Sequence, residues 1–596
     1  MPDRAPLRIA NCSGFFGDRL SAAREMVEGG PIDVLTGDYL AELTMSILWR
    51  TRARDPDGGF AGTFLSQMEE VLATCVEKGV KIVSNAGGLN PAGLVERLGK
   101  IAGDLGIAPR IAYVEGDDLI ERLDRLQSDG HEFIHLDRGS ALRGSGVTPI
   151  TANAYLGGWG IKEALDRGAD IVVTGRVTDA ALVVGPAAWH HGWSRDNWDA
   201  LAGALVAGHI IECGAQTTGG NYAFYREVPG LNRVGFPLAE LAADGSSVIT
   251  KHPGTGGLVS VGTVTAQLLY EIAGNEYHNP DVTALFDTIQ LDQIGPDQVA
   301  VTGVKGIPPP ETLKVALNYL GGYRNSMTFG IAGLNVEEKA RLLEEALWSH
   351  MGGRDQFARG EARLIRSDRA NPETNDDALA YLRVTVMDPD EKKVGRPFSR
   401  AAVELALSHY PGFFLTTPPG DATAYAVYWP TSIPADLVPM RVVMGEESWQ
   451  VTSIAPGPSP LTPRPPPPAP RPWRLASGAT RPAPLGAIAG ARSGDKGGNA
   501  NLGVWVRTEG AYEWLVSYLT VDELYRLMPE AAGLAVERHE FPNLSALNFV
   551  IKGLLGEGVS SSTRTDPQAK SLGEFLRARV VDIPVDLLPE QSVGTR

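Results

Sequence analysis

Cysteine is scarce in this chain: there are three, Cys12, Cys75 and Cys213, in 596 residues. Spacing that wide excludes a disulfide framework and a cysteine zinc site. Positive charge is in deficit: 54 Lys and Arg against 71 Asp and Glu leave a net charge of -17. That argues against nucleic acid or an anionic membrane surface as a general partner, though a local basic pocket remains compatible with it. No run reaches the ~18 apolar residues of a membrane helix. The opening MPDRAPLRIANCSGFFGDR lacks the apolar centre of a secretory signal. Neither a Walker pattern nor GxGxxG occurs, so no nicotinamide or P-loop fingerprint is present. These absences leave a soluble protein expected in the cytoplasm, with no membrane, no nucleic acid, no metal and no tightly bound cofactor.

What is present is an ordinary globular composition, 43% hydrophobic and 21% charged, in a chain long enough for several domains at ~150 residues each. Residues 169–184, ADIVVTGRVTDAALVV, set the pattern: a β-branched run, a polar loop, then a helix start, with Thr178 or Asp179 as candidate N-cap. The same strand–loop–helix order recurs at residues 7–28, from 32, at 81–101 with Pro91 at the first helical position, and from 110. Alternation of this kind predicts an α/β fold, a mostly parallel sheet covered by helices, over residues 1–280. Its strand-end loops should converge on one edge, where ligands bind in open sheets. Residues 281–455 read as an attached α+β region, with strands at 382–386, 424–428 and 440–444 and helices at 336–348 and 399–408. Residues 456–484 form a Pro-rich linker around PGPSPLTPRPPPPAPRP, read as a polyproline-type spacer rather than a ligand for a recognition module. Residues 485–596 form a small C-terminal α+β domain. The parts on either side of the linker are expected to have separate cores.

Several stretches carry chemistry. Asn85, Gly87, Gly88 and Asn90 follow a strand and open a helix, where backbone N–H groups can cradle an anion; a tight turn is the competing use. Gly175 and Arg176 lie in the polar loop of residues 169–184, likewise between a strand and a helix start. Glu212 and Cys213 read as the end of a strand entering a glycine-rich segment with Gly219, Gly220 and Asn221. A carboxylate there, against an apolar pocket, has its pKa raised toward the range useful for proton transfer. Cys213 is a candidate nucleophile, against the commoner fate of a small buried residue. Asp179 is a candidate on the same edge. Lys251 and His252 precede Gly256 and Gly257, joining a cation and an acid–base group to amides suited to an oxyanion hole; a plain turn competes. His131 to His135 spells HExxH, but Gly130 and the alternation of residues 133–137 deny it the helix a zinc site requires, so it reads as a chance match. Arg492, Ser493, Asp495, Lys496 and Asn499 crowd a glycine-flanked loop in which two cations can grip a phosphate, a subunit or domain contact being the alternative.

Taken together, NCSGFFGDR, VLTGDYLAELTM, IVSNAGGLNP, TANAYLGGWGIKEAL, DIVVTGRVTDAALVVGPAAWH, IECGAQTTGGNY and ITKHPGTGGLVSVGTVTAQLLYEI resemble the acyclic terpene utilisation protein AtuA family. GARSGDKGGNANLGVW and FPNLSALNFVIKGLLGEGVSSSTRTDPQAKSLGEFL resemble that family's small C-terminal domain, which in some relatives is a separate polypeptide. The resemblance implies a place in catabolism of branched acyclic terpenoids such as citronellol and geraniol, on routes that use coenzyme A thioesters. It transfers no reaction and no catalytic residue. The expectation is an enzyme that hydrates, dehydrates or cleaves a C–C bond in a branched acyl-coenzyme A, with coenzyme A as part of the substrate and a homo-oligomeric assembly. A non-catalytic acyl-coenzyme A-binding or assembly subunit is the alternative.

Overall fold

A computed structural model describes residues 4–452 and 479–589. Residues 456–472, the proline-rich stretch, lie outside the described residues. The chain divides into two compact units, one of residues 1–318, 428–559 and 568–596, the other of residues 319–427 and 560–567.

The first unit is built on an eleven-stranded sheet. At its centre Leu7–Asn11, Val34–Gly37, Lys81–Ser84, Ile171–Thr174 and Ile111–Glu115 lie side by side and parallel. These strands are short, and all but Ile111–Glu115 are nearly fully buried, as strands covered on both faces must be. The sheet as a whole is mixed, not mostly parallel. Beyond Leu7–Asn11 it continues with antiparallel Pro237–Leu241, Ser247–Lys251, Gln298–Thr302 and Gln290–Gly295. Beyond Ile111–Glu115 it continues with antiparallel Met440–Met444 and Glu447–Val451. Only the centre has helical crossovers between neighbours, and hairpins need no helix to connect antiparallel strands.

Local chemistry explains the helices. Pro91–Asp104 starts at proline and is capped by Asn90, whose side chain accepts from Gly93 N at 2.9 Å. Val261–Leu268 has a reciprocal capping box between Ser260 and Thr263. Ala181–His191 follows the loop after Ile171–Thr174, but neither Thr178 nor Asp179 caps it: Ala180 stands at the N-cap, and Asp179 pairs with Arg176 instead. Trp198–Ile211 is apolar on every side and buried from Ala200 onward.

The C-terminal part of this unit has its own apolar cluster, including Leu502, Val504, Leu515, Phe549 and Leu576. Its four-stranded sheet runs Ala489–Lys496, Asn499–Val506, Ala546–Ile551, Val536–Phe541, all antiparallel. Residues 491–501, read from sequence as a loop, are therefore two strands joined by a turn at Gly497 and Gly498. Gly497 sits at φ +63°, and a Cβ on Gly498 would lie 2.3 Å from Gly556 O, so both positions need glycine.

In the second unit the strand Thr312–Ala332, entering at Tyr319, pairs antiparallel with Leu379–Asp388, which pairs in turn with Arg359–Ile365. Val336–His350 and Arg396–Glu404 cover one face over Phe329, Leu343, Leu347 and Phe398. The loop at Ser560 belongs here: Thr563 Oγ1 donates to Glu361 Oε2, and Arg324 Nη1 donates to Ser560 O at 2.9 Å.

Candidate active site

The carboxyl ends of the parallel strands converge in the first unit. Asp38 follows Val34–Gly37, Asn85 follows Lys81–Ser84, Asp117 follows Ile111–Glu115 and Arg176 follows Ile171–Thr174. Asn85 Nδ2 donates to Asp38 Oδ1 at 2.5 Å, and Asn85 Oδ1 accepts from Tyr39 N at 2.8 Å. Asp117 Oδ2 accepts from Arg176 N and from Asn153 Nδ2, both at 2.8 Å. Gly175 is required beside it, since a Cβ there would lie 2.2 Å from Asp117 Oδ1. Burial pushes the Asp117 carboxyl up to about 7.

Arg176 is the buried cation of this edge. Its Nη1 donates to Leu40 O at 2.8 Å, its Nη2 lies 3.1 Å from Asp179 Oδ1, and its guanidinium rests 4.2 Å over the Tyr155 ring. Tyr155 Oη donates to Glu42 Oε1 at 3.0 Å, and Lys314 Nζ lies 3.5 Å from the same oxygen. Burial works against ionising Glu42, but the positive charges of Lys314 and Arg176 outweigh it and hold its carboxyl down at about 2.

Next comes Glu212. It caps the carboxyl end of helix Trp198–Ile211, not a strand as its β-branched neighbours suggest. Its Oε1 lies 3.1 Å from His209 Nδ1, while its Oε2 is buried without a hydrogen-bond partner. Burial, then the negative charges of Asp179 and Glu271, raise the Glu212 carboxyl well above the ordinary carboxylate range. Burial lowers His209 to about 4, so its imidazole is neutral near pH 7. Cys213 is also raised, by burial first and then Glu212, which disfavours the thiolate a nucleophile needs.

The C-terminal hairpin supplies the remaining wall. Lys496 Nζ donates to Glu271 O at 2.9 Å, and Lys570 Nζ lies 3.7 Å from Glu271 Oε1 and 3.9 Å from Asp495 Oδ1. Burial and Lys314 lower Lys496 to about 8; burial and Glu271 raise Asp495 to about 7. Side chains of Asp179, Glu42, Lys314, Glu271 and Lys570 keep 32, 30, 41, 42 and 37% of their surface accessible while acting on one another electrostatically. Solvent reaches all five, and we take the space they border as one recess.

Other sequence candidates serve the frame. Asn90 caps its helix, and its Nδ2 donates to Asp57 O and Gly58 O. The amides of Gly88, Leu89 and Asn90 donate to Asn85 O, Gly59 O and Gly87 O, so backbone carbonyls of the loop and of Gly59 use them. Gly87 and Gly88 admit close neighbours, Thr174 O at 2.5 Å and Leu48 Cδ1 at 2.3 Å from a notional Cβ. Gly219, Gly220, Gly256 and Gly257 likewise lie against Val228, Ala215 O, Gly230 O and Thr218 O, and Asn221 takes a left-handed φ of +58°. His252 Nε2 bonds to Met26 O at 2.9 Å, with Gly29 and Gly30 against its ring. Lys251 Nζ donates to Thr255 O at 2.9 Å and lies 3.1 Å from Asp297. Arg492 Nη2 donates to Gln216 Oε1; Ser493 Oγ accepts from Gly573 N at 2.9 Å; Asn499 Nδ2 donates to Asp137 Oδ1 at 2.9 Å. Residues 131–135 form neither helix nor strand, and among the described residues no three His, Cys, Asp or Glu side chains are grouped to hold a metal ion.

The recess also contains residues that sequence reading passed over: Asp38, Glu42, Tyr155, His209, Glu271, Lys314 and Lys570. Asp38 alone carried a usable signal, its place directly after a strand.

Among the described residues no helix is long and apolar enough to cross a membrane. Searches of curated proteins and of solved structures return no match. The family profile described as acyclic terpene utilisation family protein AtuA matches residues 7–444, and the AtuA ferredoxin-like domain matches residues 483–582. The second description concerns fold: that segment has no cysteine to ligate an iron–sulfur cluster. The strand-end motifs that build the recess fall within the first match, and the hairpin that walls it within the second; the chain belongs to the acyclic terpene utilisation AtuA family.

Proposed function

We propose that this protein is an enzyme of acyclic terpenoid catabolism that performs acid–base chemistry on a branched acyl-coenzyme A, adding or removing water or breaking a C–C bond. The observation that carries the reading is Glu212: a buried carboxyl with one unpartnered oxygen, beside a recess that also holds carboxylates and cations. Burial and the charges of Asp179 and Glu271 hold Glu212 up, while Asp179 pairs with Arg176 at 3.1 Å, and environments that differ in this way separate acid from base.

In the dehydration direction, Glu212 gives its proton to the departing hydroxyl oxygen, which leaves as water. Asp179, raised by burial and steadied by Arg176, takes the proton from the carbon next to the thioester. Lys314 and Lys496 supply positive charge for the enolate oxygen formed in between. Hydration is the same path reversed. Neutral His209 fixes the Glu212 carboxyl through the 3.1 Å hydrogen bond.

The test is turnover of a panel of branched enoyl- and 3-hydroxyacyl-coenzyme A thioesters by the full chain, with Glu212→Gln as control. Conversion that the variant loses supports the reading. Tight binding of panel members without turnover would overturn it in favour of an acyl-coenzyme A-binding subunit.

A further inference from the structure

Glu271 has a left-handed backbone, φ +58°, which costs a residue with a Cβ and persists only where surroundings impose it. The surroundings here are the C-terminal hairpin. Alternate positions of a strand face one way, so Arg492, Gly494 and Lys496 of Ala489–Lys496 share a face. The Arg492 guanidinium lies 4.4 Å over the Tyr270 ring. Gly494 makes room for that ring, since a Cβ there would lie 2.4 Å from it. Lys496 Nζ donates to Glu271 O at 2.9 Å, and Asn501, opposite Gly494 in register, accepts from Glu271 N at 2.8 Å through its Oδ1. Both polar backbone atoms of Glu271 are therefore held by the one hairpin.

We propose that the C-terminal domain takes part in the reaction through this grip: Asn501 and Lys496 are positioning residues that hold Glu271 left-handed and so fix where its carboxylate stands relative to Glu212. This rests on the acid–base reading above. The negative charge of Glu271 acts on Glu212, as do Asp179, Arg176 and Lys496, and it also acts on Asp179 and His209.

The experiment follows the Glu212 carboxyl directly, by infrared difference spectra (wild type minus Glu212→Gln) across pH. Glu271→Gln should move the Glu212 titration down by ~1–3 pH units, as removal of a close like charge does. Asn501→Leu should move it in the same direction, and adding Glu271→Gln to Asn501→Leu should then move it little further. Should Asn501→Leu not fold, Lys496→Met replaces it: Glu271→Gln should then shift Glu212 less in that background than in wild type. Additive shifts, or no shift with Glu271→Gln, would overturn the inference. These spectra need no substrate. An absence of turnover with the shifts intact would therefore sink the catalytic reading alone, and turnover without the shifts would sink this inference alone.

Discussion

Two segments read alike in sequence, residues 250–257 and 491–501, each joining cations to dense glycine. The structure separates them. In the first, the glycines fold the segment against its own neighbours: a Cβ on Gly256 would lie 2.5 Å from Gly230 O, His252 is spent on Met26 O, and Lys251 is neutralised by Asp297. In the second, Gly494 lets the hairpin approach Tyr270, so that Lys496 and Asn501 reach Glu271. Glycine marks close approach in both. What is approached decides whether the polar side chains nearby are closed off or turned toward a recess.

The sharpest way to break this contrast is to remove one acid–base group from each segment's neighbourhood. Glu212→Gln should lower turnover by ~10²–10⁴-fold with little change in melting temperature. His252→Ala should do the reverse. It leaves Met26 O unpaired and a ring-sized gap, costing ~1–3 kcal/mol of stability, with turnover per folded molecule preserved. Steady-state rates beside denaturant melts decide it; equal rate losses would erase the distinction.

The raised carboxyls and His252 should also differ in sign with pH. Asp117 and Asp495 are raised to about 7 from 3.8, so the folded state holds their protons more tightly. Their contribution is complete below the unfolded value and is lost as pH rises from about 4 to about 7, at up to ~1.4 kcal/mol per pH unit for each group. His252 is lowered by burial from 6.5; its neutral form is favoured in the fold, so stability is lost as pH falls below 6.5. Chemical denaturation of wild type, Asp117→Asn and His252→Gln across pH measures this. Asp117→Asn should remove part of the loss of stability as pH rises from about 4 to about 7, and His252→Gln part of the loss as pH falls below 6.5.

The smallest effect concerns a position that sequence placed at an anion site. Asn90→Ala removes the cap of Pro91–Asp104 and should cost ~0.5–2 kcal/mol, with thioester affinity by calorimetry unchanged. Weakened binding would return residues 85–90 to the ligand.

The strands at 81–84 and 440–444 were legible residue for residue because each is a short apolar run closed by turn chemistry. Pro91 announced its helix for the same local reason. The reading failed at Trp198–Ile211: with apolar residues all round it has no 3.6-residue alternation to betray a helix, and Ile210–Ile211 alone looks like strand. The mixed sheet was missed because its antiparallel strands, such as Pro237–Leu241 and Ser247–Lys251, sit amid glycine-rich sequence with no helix between them. Lys314 and Glu271 come from distant segments and carry no motif; only packing brings them to Glu42 and Glu212.

That same helix shapes how the chain is made. Trp198–Ile211 has no polar face to show water, and one of its covers, Lys305–Ile307, where a Cβ on Gly306 would lie 2.1 Å from Trp198 O, emerges only after it during synthesis. A nascent chain halted before residue 305 therefore carries this apolar helix with one of its covers missing, a surface on which holdase chaperones and aggregation compete.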